Sequence, residues 1–132
     1  MLLLPGRRRR LLNDRKLLGR WGEKRCERFL KRKGLAIITR NFACKLGEID
    51  LIATDDSGTI IFVEVRTRAD ENYTEVHRTV TPTKRARLVR TAQYFLKTYK
   101  VKDRPLRFDV VAIVLGHKGR PQIRHYENAF TP

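Results

Sequence analysis

Long apolar runs are missing from this chain: none of its 132 residues fall in a stretch near the roughly 18–20 apolar residues that a membrane-spanning helix needs. The opening Met1-Leu2-Leu3-Leu4 is too short for a signal-peptide core, and the positive charge follows it rather than precedes it. Cysteine is scarce. Cys26 and Cys44 stand at no metal-binding spacing, which excludes a disulfide scaffold or a zinc module and leaves two reduced thiols, expected as small buried hydrophobes. A cytoplasmic location is the expectation that follows. Trp21 is the single tryptophan and no aromatic ladder is visible, which argues against base stacking along single strands as the main binding mode. Glycine-rich phosphate loops and internal repeats are also absent. Negative charge is outnumbered about two to one: 14 Asp and Glu face 30 Lys and Arg, a formal +16 with a pI near 10.8. Like charges repel and do not favour a compact state. Such an excess is the footprint of a protein that meets polyphosphate, with nucleic acid expected as partner and a membrane surface not.

The length suits one domain with a core of its own. Residues 1–16 read as a basic N-terminal arm, partly disordered, in which Arg7, Arg8, Arg9 and Arg10 could lie along a phosphate backbone. Residues 17–132 form the domain. From Leu17 to Lys33, Leu18, Trp21, Cys26, Phe29 and Leu30 recur at helical spacing before Gly34, with Glu23 at the border of the apolar stripe and Glu27 further round toward solvent. Leu35–Arg40 is a short strand. Residues 68–80 are a polar loop containing Arg68 and His77, long enough for a flap or a partner contact. Thr81-Pro82 supplies an N-cap and a first-turn proline for a second helix to about Lys100. On that helix Lys84, Arg87, Arg90 and Lys97 form a basic ridge beside a buried stripe. Leu106–Leu115 reads as a strand covered on both faces, interrupted by Asp109 as a structural hydrogen-bond acceptor, and Gln122–Tyr126 as a last strand.

The most informative segments are Gly47–Ala53 and Ile60–Arg66, strand-like runs separated by Asp55-Asp56-Ser57-Gly58. Folding this hairpin about Ser57 sets Asp50 opposite Glu64 and Glu48 opposite Arg66. One face then carries Glu48, Asp50, Glu64 and Arg66, followed by Ile52, Phe62 and Ile60. The other carries Ile49, Leu51, Ala53, Ile61, Val63 and Val65. Two facing carboxylates repel unless something positive lies between them. A divalent cation with hard oxygen ligands would serve, and so would an ion-pair cluster in which Arg66 neutralises Glu64 and Glu48.

A helical Glu, a strand Asp and Glu-x-Lys on the next strand form the pattern of the PD-(D/E)xK nuclease superfamily. Gly47-Glu48-Ile49-Asp50-Leu51-Ile52, Phe62-Val63-Glu64-Val65-Arg66-Thr67-Arg68 and Arg107-Phe108-Asp109-Val110-Val111 resemble the bacterial YraN family within it, as do Val80-Thr81…Lys84 and Asn128-Ala129-Phe130. The likeness covers about residues 17–130. It implies an α/β fold, a mixed sheet with flanking helices in the α-β-β-β-α-β-β order of restriction endonucleases. It further implies Mg²⁺ or Mn²⁺ held by Asp50, Glu64 and the Val65 carbonyl, with Glu23 acting through water and Arg66 at the lysine position; Lys84, at the start of the second helix, is our own candidate to supply an amine from elsewhere. Arg66 occupies the position of the superfamily lysine and departs from the pattern. An arginine stays protonated and cannot act as a general base, although it can hold a phosphate.

The expected function is a metal-dependent nuclease-like protein that binds structured or branched DNA and hydrolyses its phosphodiesters, using Arg7–Arg10, Arg68, Arg87 and Arg90 as phosphate contacts. A twofold-symmetric junction substrate would suit a homodimer. The rival is a non-catalytic nucleic-acid-binding module that kept the fold and lost the lysine. A third reading is a partner for membrane surfaces or acidic proteins.

Overall fold

In a computed structural model that describes residues 3–70 and 80–132, three helices flank a five-stranded sheet of order β1-β2-β3-β4-β5. Helices α1 (Pro5–Asn13) and α2 (Arg15–Arg32) precede β1 (Ala36–Cys44), β2 (Gly47–Thr54) and β3 (Ile60–Arg68); α3 (Pro82–Thr98), β4 (Leu106–Val114) and β5 (Gln122–Phe130) follow. The strand pairs are antiparallel except β3 with β4, where α3 makes the crossover that a parallel pair requires. This is the α/β, restriction-endonuclease-like architecture expected from the sequence, with α1 added in front. Among the described residues no helix is long and apolar enough to cross a membrane. Most of the polar loop, including His77, lies outside the described residues.

Covering both faces of the sheet divides the core in two. On one side Leu18, Trp21, Cys26 and Leu30 of α2 pack on Leu51, Ala53, Ile61, Val63, Val111 and Ile113. On the other, Leu88, Ala92 and Phe95 of α3 cover Ile49, Ile52, Ile60, Phe62, Phe108 and Val110. Ile49 therefore lies on the face opposite Leu51 and Ala53, a correction to the uniform alternation expected of β2. The break falls at Asp50, between the pairs Arg40↔Leu51 and Phe42↔Ile49 of one continuous register, opposite Asn41 with its φ of +50°. Asparagine tolerates this left-handed conformation, and one such residue is enough to turn a strand over.

The expected hairpin register holds over Leu51↔Val63, Ile52↔Phe62, Ala53↔Ile61 and Thr54↔Ile60, all pivoting on Ser57. Asp50 and Glu64 lie just past the paired stretch, and Glu48 is paired with Ala43 rather than set against Arg66. β1 also runs four residues beyond the expected end at Arg40, to Cys44, and turns into β2 through Lys45-Leu46. β5 likewise extends past Tyr126 to Phe130.

The arginine run of the basic N-terminal segment lies in α1. Pro5 opens α1, arginine favours helix, and Leu11 is buried. The Arg8 guanidinium is buried too, donating to the carbonyls of Leu115 and Gly116 at 3.1 and 2.7 Å and to that of Gly119. Asp14 then caps α2 by accepting from the Lys16 and Leu17 amides.

α2 approaches the sheet so closely that a Cβ on Gly22 would stand 1.9 Å from Thr67 Oγ1. Gly22→Ala should therefore destabilise the protein by about 1–3 kcal/mol, the range for overpacking. Urea denaturation checks this, and Thr67→Ala in the same chain should recover part of the loss.

Candidate active site

The place where β2 and β3 part positions the site. Past the last ladder pair, the Val65 N–H has no strand carbonyl opposite it and donates to Asp50 Oδ2 at 2.8 Å. Asp50 thereby substitutes for a ladder bond and is held against Glu64, which is only 5% exposed. Burial first, then the Glu64 charge and a hydrogen bond between the two carboxyls, push Asp50 well above the ordinary aspartate range, against the pull of the Val65 amide. Asp50 therefore holds a proton to higher pH than an ordinary aspartate does.

Two cations reach the same carboxylate. The N-terminal turn of α3, capped by Thr81 Oγ1 accepting from the Lys84 amide at 3.2 Å, aims the Lys84 side chain at the sheet. Its Nζ lies 2.7 Å from Glu64 Oε2. Arg66 Nη1 lies 3.6 Å from the same oxygen.

On the α2 side, Glu23 is raised above its ordinary value by burial, then by Glu48 and Glu64, while a hydrogen bond with Asn41 opposes this. It therefore shares the electrostatic neighbourhood of the strand carboxylates. Glu27, one turn on, is committed elsewhere: Arg40 holds it by two bonds of 2.5 and 2.7 Å and Lys31 by one of 2.9 Å, which lowers it to about 2.

Glu23 also lies between two grooves. One, of about 600 Å³, is walled by Arg20, Lys24, Arg28, Arg40 and Asn41. The other, of about 380 Å³, is lined by Arg15, Val65, Thr67, Arg68 and Asp70 among others. Among the sequence candidates for phosphate contact, Arg68 thus borders the second groove, Arg87 and Arg90 are exposed on α3, and Arg7, Arg9 and Arg10 are exposed on α1. Arg8 is spent on main-chain carbonyls and cannot serve. Arg20, Lys24 and Arg28 escaped the sequence reading, although their i, i+4, i+8 spacing along α2 marks a basic ridge.

The donor set fits a hard divalent cation. Asp50 Oδ2 accepts from the Val65 amide and Glu64 Oε2 pairs with Lys84, which sets two hard oxygen donors side by side. Among the described residues no three His, Cys, Asp or Glu side chains converge to hold a metal by themselves. Two carboxylates completed by main-chain oxygen, water and phosphate are what Mg²⁺ accepts, whereas a structural zinc site needs four nitrogen or sulfur ligands.

Comparison with known proteins places this chain in a family. The profile of Uncharacterised protein family UPF0102 matches residues 22–113. A UPF0102 protein of Pelotomaculum thermopropionicum is 42% identical over 121 residues, covering 91% of this chain and 100% of that protein. One from Herminiimonas arsenicoxydans is 46% identical over 110 residues, covering 83% of this chain and 87% of the other. A third, from Geotalea uraniireducens, is 43% identical over 117 residues, with 89% and 91% covered.

Proposed function

The chain belongs to Uncharacterised protein family UPF0102, and from the geometry of its residues we propose that it is a divalent-metal-dependent nuclease acting on structured or branched DNA. The observation that carries this reading is the half-buried Asp50 held against the buried Glu64, with the Lys84 amine 2.7 Å from Glu64 and with Glu23 lining two grooves that also carry cations.

Asp50, Glu64 and the Val65 carbonyl would hold Mg²⁺ or Mn²⁺, with Glu23 contributing through water. In a strand the N–H and C=O of one residue face the same neighbour, so the Val65 carbonyl is directed with its amide toward Asp50. A cation bound there would lower the pKa of a bound water and offset charge developing on the phosphate. Asp50 is fixed in place by the Val65 amide. Lys84 supplies a mobile ammonium donor to a water or phosphate oxygen at the Glu64 end of the site. Arg66 offers a permanently charged fork for a phosphate and takes no proton. Arg20, Lys24 and Arg28 form a phosphate rail leading to Glu23.

A second reading also has an observation behind it. Lys84 and Arg66 already offset the charge of the pair, so the site could persist in a non-catalytic nucleic-acid-binding module. Two measurements test both. Affinity for branched DNA should fall steeply between about 50 and 200 mM salt, with a log–log slope of about −0.9 per neutralised phosphate. A flat response rejects both readings. Cleavage of end-labelled branched DNA in Mn²⁺, lost in Glu64→Gln, supports the nuclease; salt-dependent binding without cleavage selects the binder.

A further inference from the structure

An aromatic surface on the α3 side is unused by this reading. Phe42 of β1 has its ring centroid 6.3 Å from Tyr94, 6.4 Å from Tyr99 and 5.2 Å from Phe95. Tyr94 and Tyr99 are 47% and 61% exposed, although Phe95 beside them is buried. Phe42 is far in sequence from Tyr94, Phe95 and Tyr99, so the cluster forms only when the fold sets the edge strand against α3.

The rings continue a charged track. At about 100° per residue, Lys84, Arg87 and Tyr94 fall along the flank of α3 that overlooks the β1–β2 turn. Arg87 confirms this placement, since a Cβ on Gly47 would stand 2.9 Å from its Cγ. Lys84 marks the end at Glu64, and Tyr94 lies ten positions on, about 15 Å along the axis. Exposed Arg90 and Lys97 border the outer side of the same flank. Beyond the rings, a groove of about 350 Å³ lined by Ile38, Phe95, Tyr99 and Val101 continues the apolar surface.

Cations interleaved with open ring faces match the chemistry of a single strand, whose phosphates pair with the cations while its bases stack on the rings. A duplex interior offers no free base face to them. We propose that this track holds an unpaired segment of the nucleic acid, running from the Asp50–Glu64 site along α3 to Tyr94 and Tyr99. The inference rests on the nucleic-acid reading above and narrows it to DNA that carries a single-stranded tail, flap or arm beside the scissile phosphate.

Fluorescence anisotropy with three ligands tests it: a blunt duplex, the same duplex with a short oligothymidine tail, and the same duplex with an abasic tail of equal length. The abasic tail keeps the phosphates and removes the bases. Wild-type protein should bind the thymidine-tailed duplex about tenfold more tightly than either other ligand, a gain within reach of one base–aromatic stack. Tyr94→Ala/Tyr99→Ala should erase that gain and leave blunt-duplex affinity unchanged, and Tyr94→Phe/Tyr99→Phe should retain it. Both tyrosines are exposed, and an unchanged melting temperature verifies that the variants fold.

Equal affinity for the two tails, or a tail gain that survives the double alanine variant, overturns the proposal. If the duplex binds and the tail adds nothing, this inference alone fails; if none of the three ligands binds, the nucleic-acid reading fails with it. A sedimentation shift from dimer to monomer in the alanine variant, without a change in tail binding, assigns the surface to a second copy of the chain and also overturns the proposal.

Discussion

Asp50→Ala/Glu64→Ala is expected to abolish Mn²⁺ binding measured by titration calorimetry and to reduce DNA cleavage by on the order of a thousandfold or more. Metal activation of water and phosphate supplies several kcal/mol of transition-state stabilisation, and each 1.36 kcal/mol is about a factor of ten in rate. The metal-free wild type should meanwhile show an unusual pH dependence. Asp50 is held above its ordinary value, mainly by burial and then by Glu64. The folded protein therefore keeps a proton that the unfolded chain has released above pH of about 4. Stability must then fall as pH rises from that point toward the raised folded value, the reverse of an ordinary salt-bridged aspartate. Asp50→Asn should flatten this slope.

Mn²⁺ competes with the Asp50 proton, so its stabilisation of the wild type should grow with pH, reaching about 2.7 kcal/mol at a metal concentration of about 100 times Kd. Thermal melts of wild type and Asp50→Asn, with and without Mn²⁺, read both effects. Should Mn²⁺ leave the melting temperature unchanged at every pH while Asp50→Asn flattens the slope, the pair is a neutral hydrogen-bonded feature and the non-catalytic binder is the better reading.

The position of Lys84 bears on the missing superfamily lysine. β3 carries Arg66 where the resemblance expects an amine, yet α3 delivers one to Glu64 from the opposite direction. A helix N-terminus is a firm mount for this purpose, because the Thr81 cap and Pro82 fix the first turn independently of the sheet. An arginine and a lysine thus approach one carboxylate oxygen from two elements, pairing a permanently charged fork with a titratable ammonium.

The parts of this arrangement legible in the sequence depend on short-range rules. The hairpin about Ser57 follows from alternation and from turn residues, and the observed ladder keeps that pivot. The start of α3 follows from Thr81-Pro82. What escaped depends on contacts between distant segments. The arginine run of α1 has little apolar periodicity, and only the carbonyls of Leu115, Gly116 and Gly119 explain why Arg8 is buried. The reversal at Asp50 lies opposite Asn41, whose positive φ alternation cannot reveal. Glu23 could be placed at the border of its stripe from helical spacing, but its sharing of charge with Glu48 and Glu64 needed the packing of α2 on the sheet. The contact of Phe42 on β1 with Tyr94 and Tyr99 of the α3 segment joins distant parts of the chain and has no local signature.

The largest loss of stability is expected away from the site, at Asp109. This residue is 1% exposed on β4 and accepts from Arg107 at 2.9 and 3.0 Å, from the Asn128 amide at 2.9 Å and from His125 Nε2 at 2.7 Å. His125 is itself joined through Nδ1 to Lys33 Nζ at 2.8 Å, so one carboxylate ties β4 to β5 and the end of α2. Burial alone would raise the Asp109 carboxyl, but the bonds from His125, Arg107 and Asn128 outweigh it and hold the group below its ordinary value. Asp109→Ala leaves an arginine, a histidine and a main-chain amide without their acceptor. The cost should be about 3–5 kcal/mol, the range for breaking a buried ion pair from one side. That is a large part of the ~5–15 kcal/mol available to a domain, and urea denaturation should show it directly. Because the folded pKa is depressed, the wild type keeps this contribution above the ordinary aspartate value and loses it as pH falls through the lower folded value. The variant should therefore lack that part of the acid transition. Every hydrogen bond described for Asp109 runs along β4 or toward β5, and none runs to Glu64. Mn²⁺ binding at low temperature should accordingly survive in Asp109→Asn, and a loss of binding in that folded variant would place Asp109 in the site rather than in the frame that supports it.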